Sequence, residues 1–277
     1  AGFNRINFGV QSFCDLNLKF LERIHTAKEG LHVYEQARKV GFENIGIDLI
    51  YGICNQSLEM WNKDLEKAVI LKPEHISCYM LTFEENTIME QRLKAGFLKQ
   101  PDENLLNTMF LFTVEYLSNT GYKQYEISNF AKYDSKNKNS LLTSKHNCKY
   151  WAGAIYRGFG PSAHSFDKIS RYWNISVVKE YIKRLNGKNL LEEKEVLTKE
   201  QKMIEAIYLG LRTTDGIDIK QFNAMFDGNF VVDYNSILDE FKEKKLVKIE
   251  KGFCFLTQKG MLLLDTIVAR FVTQTTA

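Results

Sequence analysis

No pair of cysteines in this chain stands at CxxC spacing. The five thiols, Cys14, Cys54, Cys78, Cys148 and Cys254, are odd in number and widely scattered. That pattern excludes a zinc knuckle or a cluster-binding cysteine loop within these residues, and it builds no disulfide framework. It fits the reduced thiols of a cytoplasmic protein. Also missing is any apolar run close to the ~20 residues that span a bilayer. The richest stretch, MLLLDTIVARFV from Met261, is interrupted by Asp265 and Arg270 and reads as an amphipathic helix. No signal-peptide pattern opens the chain. An excess of one charge is lacking too. With 37 basic and 34 acidic residues the formal charge is +3, which gives no electrostatic reason to expect nucleic acid or an anionic membrane as partner.

What is present is enough to fold. Apolar residues make up 44% and aromatics 13% of 277 residues, sufficient for one large domain or a large and a small one. RINFGVQ, residues 5–11, alternates Ile6, Phe8 and Val10 with polar or small residues, the pattern of a strand with one apolar face. Thr26 and Glu29 form a capping box that starts a helix with Leu31, Tyr34 and Ala37 on one side, stopped by Gly41. NIGIDLIY, residues 44–51, sets Ile45, Ile47, Leu49 and Tyr51 on one face and Gly46, Asp48 and Ile50 on the other. A helix with Trp61, Leu65 and Ala68 follows, ended by Pro73, and then a third strand over 75–82. A short helix near 90–94 and a longer one over 102–119, with Leu105, Met109, Phe112 and Tyr116 in phase, lead to YKQYEISNF, which reads as one further strand.

Strand, helix and strand recurring every ~30–40 residues predict right-handed βαβ units and a parallel sheet. Asp48 stands near the C-terminal end of such a strand, where parallel folds place ligand contacts; a hydrogen-bonded aspartate between strands is the other reading. Only three βα units are visible, and three parallel strands do not close a barrel. The expectation is therefore a C-terminal portion of a longer protein, or a truncated version of one.

The segment from Ser144 to Phe166 carries the densest chemistry. His146, Tyr150 and Trp151 fall within six positions, where an imidazole can ligate a metal and aromatic faces can stack on a flat ring. The glycines at 158 and 160 allow close backbone approach. Aromatics beside glycines in an ordinary half-buried strand are the alternative. After residue 175 the pattern changes to a capped helix from Thr198 and Gln201, with Ile204, Ile207, Tyr208 and Leu211 inward. Short helices over 218–225 and 232–244, a hairpin (LVKIE, then FCFL) and a closing helix after Thr257 complete it. The order resembles a winged helix, but its third helix mixes Asp233, Asp239, Glu240 and Glu243 with lysines, so an accessory domain is expected and not a duplex binder.

The segments FGVQSF, RIHTAKE, IGIDLIYG, PEHISCYMLTFEENT, YEISNFA, HNCKYW and GFGPSAHSF occur in this order along the chain. In that order they resemble the radical S-adenosylmethionine family of oxygen-independent coproporphyrinogen oxidases and their relatives, over essentially the whole chain. HNCKYW is similar to the HNxxYW pattern of the HemW-type heme chaperones. The resemblance implies an α/β fold: the second part of a radical S-adenosylmethionine (β/α) partial TIM barrel over 1–174, then a small α+β winged-helix-like domain over 175–277. It implies heme bound through His146, with Asn147, Tyr150 and Trp151 shaping the site, and the iron as the metal that His146 would meet. S-adenosylmethionine would be contacted by Gln11, Arg23 and Asp48. The GFGPSA backbone would line the cavity, and His164 would be structural or a second heme contact.

The implied function is transfer of heme to acceptor proteins such as respiratory enzymes, with any membrane association made through those acceptors. A homodimer and a cytoplasmic location complete the expectation. An oxygen-independent coproporphyrinogen oxidase, decarboxylating propionates by radical chemistry, is the alternative, and a cluster-free binding module a third. Two departures stand out. The family's three-cysteine motif for a [4Fe–4S] cluster is absent, and would lie upstream in the full-length protein. Where the family reads IYGLPGQT, this chain reads IYGICNQS over Ile50–Ser57, a loss of proline and glycine expected to alter a tight turn.

Overall fold

The computed structural model describes residues 2–187 and 189–275. Its contacts divide the chain into two compact units, Ala1–Thr143 and Ser144–Ala277. The first runs β1 (Arg5–Gln11), α1 (Asp15–Phe20), α2 (Ala27–Lys39), β2 (Asn44–Tyr51), α3 (Leu58–Ile70), β3 (His75–Met80), α4 (Ile88–Lys94), α5 (Glu103–Asn119), β4 (Lys123–Gln124) and β5 (Asn129–Ala131). These strands form one five-stranded sheet of order β1-β2-β3-β5-β4. β1, β2 and β3 are parallel, as the βαβ spacing requires, and β5 and β4 are antiparallel to their neighbours.

β2 shows why the sheet is stable. Ile45, Ile47 and Leu49 are fully buried beneath the helices, as are Trp61, Leu65 and Ala68 of α3. Each large side chain so buried contributes about 1.5–3 kcal/mol. α2 starts at the expected capping box, with Glu29 Oε2 accepting from the Thr26 amide at 2.7 Å.

Several expectations change in contact with the structure. YKQYEISNF is not one strand: β4 and β5 fold back on each other, Gln124 pairing Phe130 across the turn at residues 125–128. The buried stripe of α5 is Met109, Phe110, Thr113 and Leu117. Thr113 replaces an apolar residue because its hydroxyl accepts from Trp61 Nε1 at 2.8 Å, so Phe112 and Tyr116 rotate outward and stack on each other. The departure at Ile50–Ser57 keeps its tight turn. The Gln56 amide donates to Ile53 O at 2.9 Å, and Asn55 takes the left-handed conformation (φ 64°) that glycine fills in the family pattern. Asparagine tolerates that region better than other residues with a side chain.

The second unit begins earlier than the residue-174 boundary expected from the sequence. It holds α6 (Lys145–Trp151), β6 (His164–Phe166), β7 (Ser170–Asn174), α7 (Val178–Arg184) and β8 (Leu191–Val196). β6, β7 and β8 form an antiparallel three-stranded sheet, and pairing of β7 with β8 ties residues 164–174 to residues 191–196. The unit continues with α8 (Lys199–Arg212), β9 (Ile217–Asp218), α9 (Ile219–Phe226), α10 (Phe230–Asp233), α11 (Asn235–Glu243), β10 (Val247–Glu250), β11 (Phe253–Leu256), α12 (Gln258–Met261) and α13 (Leu264–Thr275).

The expected capping box, with Thr198 and Gln201, opens α8, and the hairpin β10–β11 adds β9 at its edge. Of the four inward residues expected on α8, Ile207 and Leu211 are buried, while Ile204 and Tyr208 are half-buried. The helix expected over 232–244 is two pieces, broken at Tyr234 (φ −113°, ψ 20°), whose ring packs on Phe230 and Phe271 and whose hydroxyl meets Thr275 Oγ1 at 2.9 Å. No helix among the described residues is long and apolar enough to cross a membrane.

Candidate functional site

β1 ends in a turn built to hold Gln11. Ser12 Oγ donates to Asp64 Oδ2 at 2.6 Å, the Phe13 amide donates to Asp64 Oδ1 at 2.7 Å, and Asn17 Nδ2 donates to Ser12 Oγ at 3.1 Å. All of this is buried, and burial pushes the Asp64 carboxyl above the ordinary carboxylate range against the pull of those bonds. The network fixes the register shift between Phe8 and Gln11 and the left-handed conformation of Gln11 (φ 66°). The Gln11 amide consequently folds back over Gly9, onto the polar side of the sheet.

That side is a continuous polar floor. Strand register sets Asp48 beside Ser77 and Ser77 beside Asn129. Asn7 Nδ2 donates to Asp48 Oδ1 at 2.6 Å. Burial raises the Asp48 carboxyl, while hydrogen bonds from Ser77 and Asn7 and the Arg5 guanidinium oppose that rise. Asn129 is buried and donates to Glu126 Oε1 at 2.6 Å, and its Oδ1 has no hydrogen-bond partner among the described residues. Deeper on the same face, His75 meets Tyr125 Oη at 2.6 Å and is held down to about 3 by burial.

Gln11 and Asp48 are thus brought to one side of β1 and β2. Arg23 lies exposed in the turn after α1, anchored through its amide to Leu18 O at 2.9 Å, and is not joined to either of them. Sequence reasoning missed Asn7, Ser77 and Asn129, although each stands in strand phase with Asp48 or Gly46, and that alternation was the available signal.

A polar floor whose carboxylate keeps lone pairs for further donors fits the ribose and methionine groups of S-adenosylmethionine. The residues present do not fit an iron–sulfur cluster. Among the described residues no three His, Cys, Asp or Glu side chains converge, and Cys54, Cys78 and Cys254 are buried apart, their thiols pushed up by burial.

In the second unit, Ser144 caps α6, and its hydroxyl accepts from the Asn147 amide at 3.5 Å. One helical turn separates His146 from Tyr150, whose rings meet edge to face at 5.0 Å. Tyr150 packs on Tyr156 at 4.6 Å, and Tyr156 on Phe166 of β6 at 6.1 Å. His146 and Tyr150 are exposed while Asn147 and Trp151 are half-buried, with the Arg212 guanidinium over the Trp151 ring at 6.0 Å. The segment expected as a cofactor cluster is therefore a short helix with imidazole and phenol on its open side. His164 stacks on Trp173 at 5.3 Å. Gly158 lies so close to His164 O that a Cβ there would overlap it. Gly158 and Phe159 line an open cavity of about 590 Å³ with Tyr172, Tyr181 and Lys194, within the second unit.

The parallel βα part of the sheet with its polar floor, and the helix-and-hairpin unit, are features to set beside known proteins. Coproporphyrinogen III oxidase (HemN) from Escherichia coli, described as a radical SAM enzyme, superposes over 98% of this chain with a TM-score of 0.77 at 23% identity, and this chain spans 64% of its length. Residues 197–263 match the HemN C-terminal domain. Heme chaperone HemW of Bacillus subtilis is 33% identical over 98% of this chain and 70% of its own length. Heme chaperone HemW of Lactococcus lactis is 34% identical, with the same coverage. A mitochondrial radical S-adenosyl methionine domain-containing protein of Dictyostelium discoideum is 32% identical over 98% of the chain and 66% of its own. The chain belongs to the HemW family of radical SAM proteins.

Proposed function

We propose that this chain binds heme at α6 and passes it to heme-accepting proteins, respiratory enzymes being the leading candidates. The observation that carries this reading is the exposed His146 imidazole held edge-on by Tyr150. A neutral imidazole nitrogen is a ligand for heme iron, and the aromatic edges beside it suit a porphyrin face. His146 would supply the axial nitrogen, Tyr150 and Trp151 would bound the ring, and Asn147 would donate to its polar margin. Because His146 is open to solvent, cargo held there stays accessible to an acceptor, which suits transfer better than enclosure. His164, stacked on Trp173 in the sheet, is read as structural.

Gln11, Arg23 and Asp48 would hold S-adenosylmethionine: the carboxylate by accepting from ribose hydroxyls, the guanidinium by gripping the methionine carboxylate, the amide by fixing its polar groups. Bound S-adenosylmethionine, with a cluster supplied by cysteines outside these residues, would support assembly and transfer. The test is hemin titration of the chain and of His146→Ala.

A further inference from the structure

Gly46 and Asn7 are fitted to one another. Asn7 and Gly46 are paired residues on adjacent parallel strands, and the Asn7 amide oxygen occupies the space that a Cβ on Gly46 would fill. In that pose the other end of the amide, Nδ2, donates to Asp48 Oδ1 at 2.6 Å. Asp48 stands two residues beyond Gly46 on the same face, beside Ser77 of β3. The carboxylate is thus held from β1, with a hydroxyl beside it on β3. Even with Ser77 turned to donate beside Asn7, about two of its four acceptor positions are unspent.

We propose that Asn7 is a positioning residue for S-adenosylmethionine, that it orients the Asp48 carboxylate for the ribose hydroxyls, and that Gly46 is required because only glycine leaves room for the Asn7 amide. This rests on the reading of Asp48 as the ribose contact. A hydrogen bond to a carboxylate is charge-assisted and short, so it sets the direction of the remaining lone pairs as well as their energy. Without Asn7 the carboxylate loses its hydrogen bond from β1 and is freer to turn about its side-chain bonds. A side chain at position 46 has the same consequence, because the softest response to the overlap is rotation of the Asn7 amide away from Asp48.

The experiment is calorimetric titration with S-adenosylmethionine and with its 2′-deoxy analogue. It uses the unchanged chain and the variants Asn7→Ala, Gly46→Ala, the two combined, and Asp48→Asn, each checked for a native unfolding transition. The expected result is about tenfold weaker binding of S-adenosylmethionine for Asn7→Ala and for Gly46→Ala. The double variant should be no weaker than either single one, since the second change removes an interaction already gone. The 2′-deoxy analogue, which keeps only the 3′-hydroxyl, should lose clearly less affinity than S-adenosylmethionine in each variant. Additive losses, or equal losses on both ligands, overturn the positioning role. If Asp48→Asn weakens binding while Asn7→Ala does not, the positioning role fails and the ribose contact stands. If Asp48→Asn binds normally, or the unchanged chain shows no saturable binding, the ribose reading fails and this inference with it.

Discussion

Ser12 Oγ and Asp64 Oδ2 lie 2.6 Å apart, a bond that ties the turn after β1 to the middle of α3 across 52 positions of sequence. It is the means by which a helix on the apolar side of the sheet sets the position of Gln11 on the polar side. Asp64→Ala leaves Ser12 Oγ and the Phe13 amide without their acceptor in a buried place. The expected loss of stability is ~3 kcal/mol, since each stranded buried donor costs about 1–3 kcal/mol. Urea unfolding checks it; a change below about 0.5 kcal/mol, the size of a surface substitution, contradicts it.

His75 gives the fold an acid-sensitive contribution from one imidazole. Its folded value, about 3, lies below the ordinary 6.5, so the unfolded chain takes up the proton first. The stability it supports is complete above the unfolded value and is lost as pH falls from there toward the folded one. The slope reaches about 1.4 kcal/mol per pH unit at most. Asp48 and Asp64, both raised by burial, act in the opposite sense where acidification protonates them. The difference between the unchanged chain and His75→Gln isolates the histidine. Denaturation across that range should show a flatter profile for the variant; parallel profiles refute the assignment.

Asn55 holds its turn with φ at 64°. Asn55→Gly should leave stability within about 0.5 kcal/mol, while Asn55→Val should lose about 1–2 kcal/mol, because a branched side chain is strained in the left-handed region. Thermal unfolding of both variants separates this backbone role from one in which Asn55 acts through its side chain. In that case glycine would destabilise as well.

Gly158 packs against the backbone of His164 and the Cβ of Ala163. Gly158→Ala forces backbone to move and should cost about 1–3 kcal/mol by overpacking. It should also weaken the His164–Trp173 stack, seen as a change in near-ultraviolet circular dichroism. An unchanged melting temperature contradicts the close approach.

Most of the first unit was legible because its signals are local. The capping box of α2, the alternation of Ile45, Ile47 and Leu49, and the spacing of Trp61, Leu65 and Ala68 each report a buried face without help from distant residues. Where a distant partner decides, the sequence was silent. Thr113 lies in the core of α5 because Trp61 needs an acceptor, which periodicity does not encode. The short strands β6, β7 and β8 carry mixed residues such as LEEKEV, whose alternation is hidden by charge on both faces. HNCKYW stood out by its residue types but was not legible as a helix. Seven residues opened by a serine cap give too short a period to separate from a strand. Asn7 escaped notice because its role comes from the cross-strand neighbour Gly46, not from its own segment.

Heme capture at α6 is tested most directly by absorbance titration of the chain with hemin, beside His146→Ala and Tyr150→Ala. The expected result is saturable binding by the unchanged chain and a strong loss in His146→Ala, with the change in the Soret band that accompanies loss of an imidazole ligand. Tyr150→Ala should be about fivefold weaker, the equivalent of an edge-to-face contact worth ~1 kcal/mol. Equal binding by the unchanged chain and His146→Ala, or no saturable binding by either, would contradict the claim.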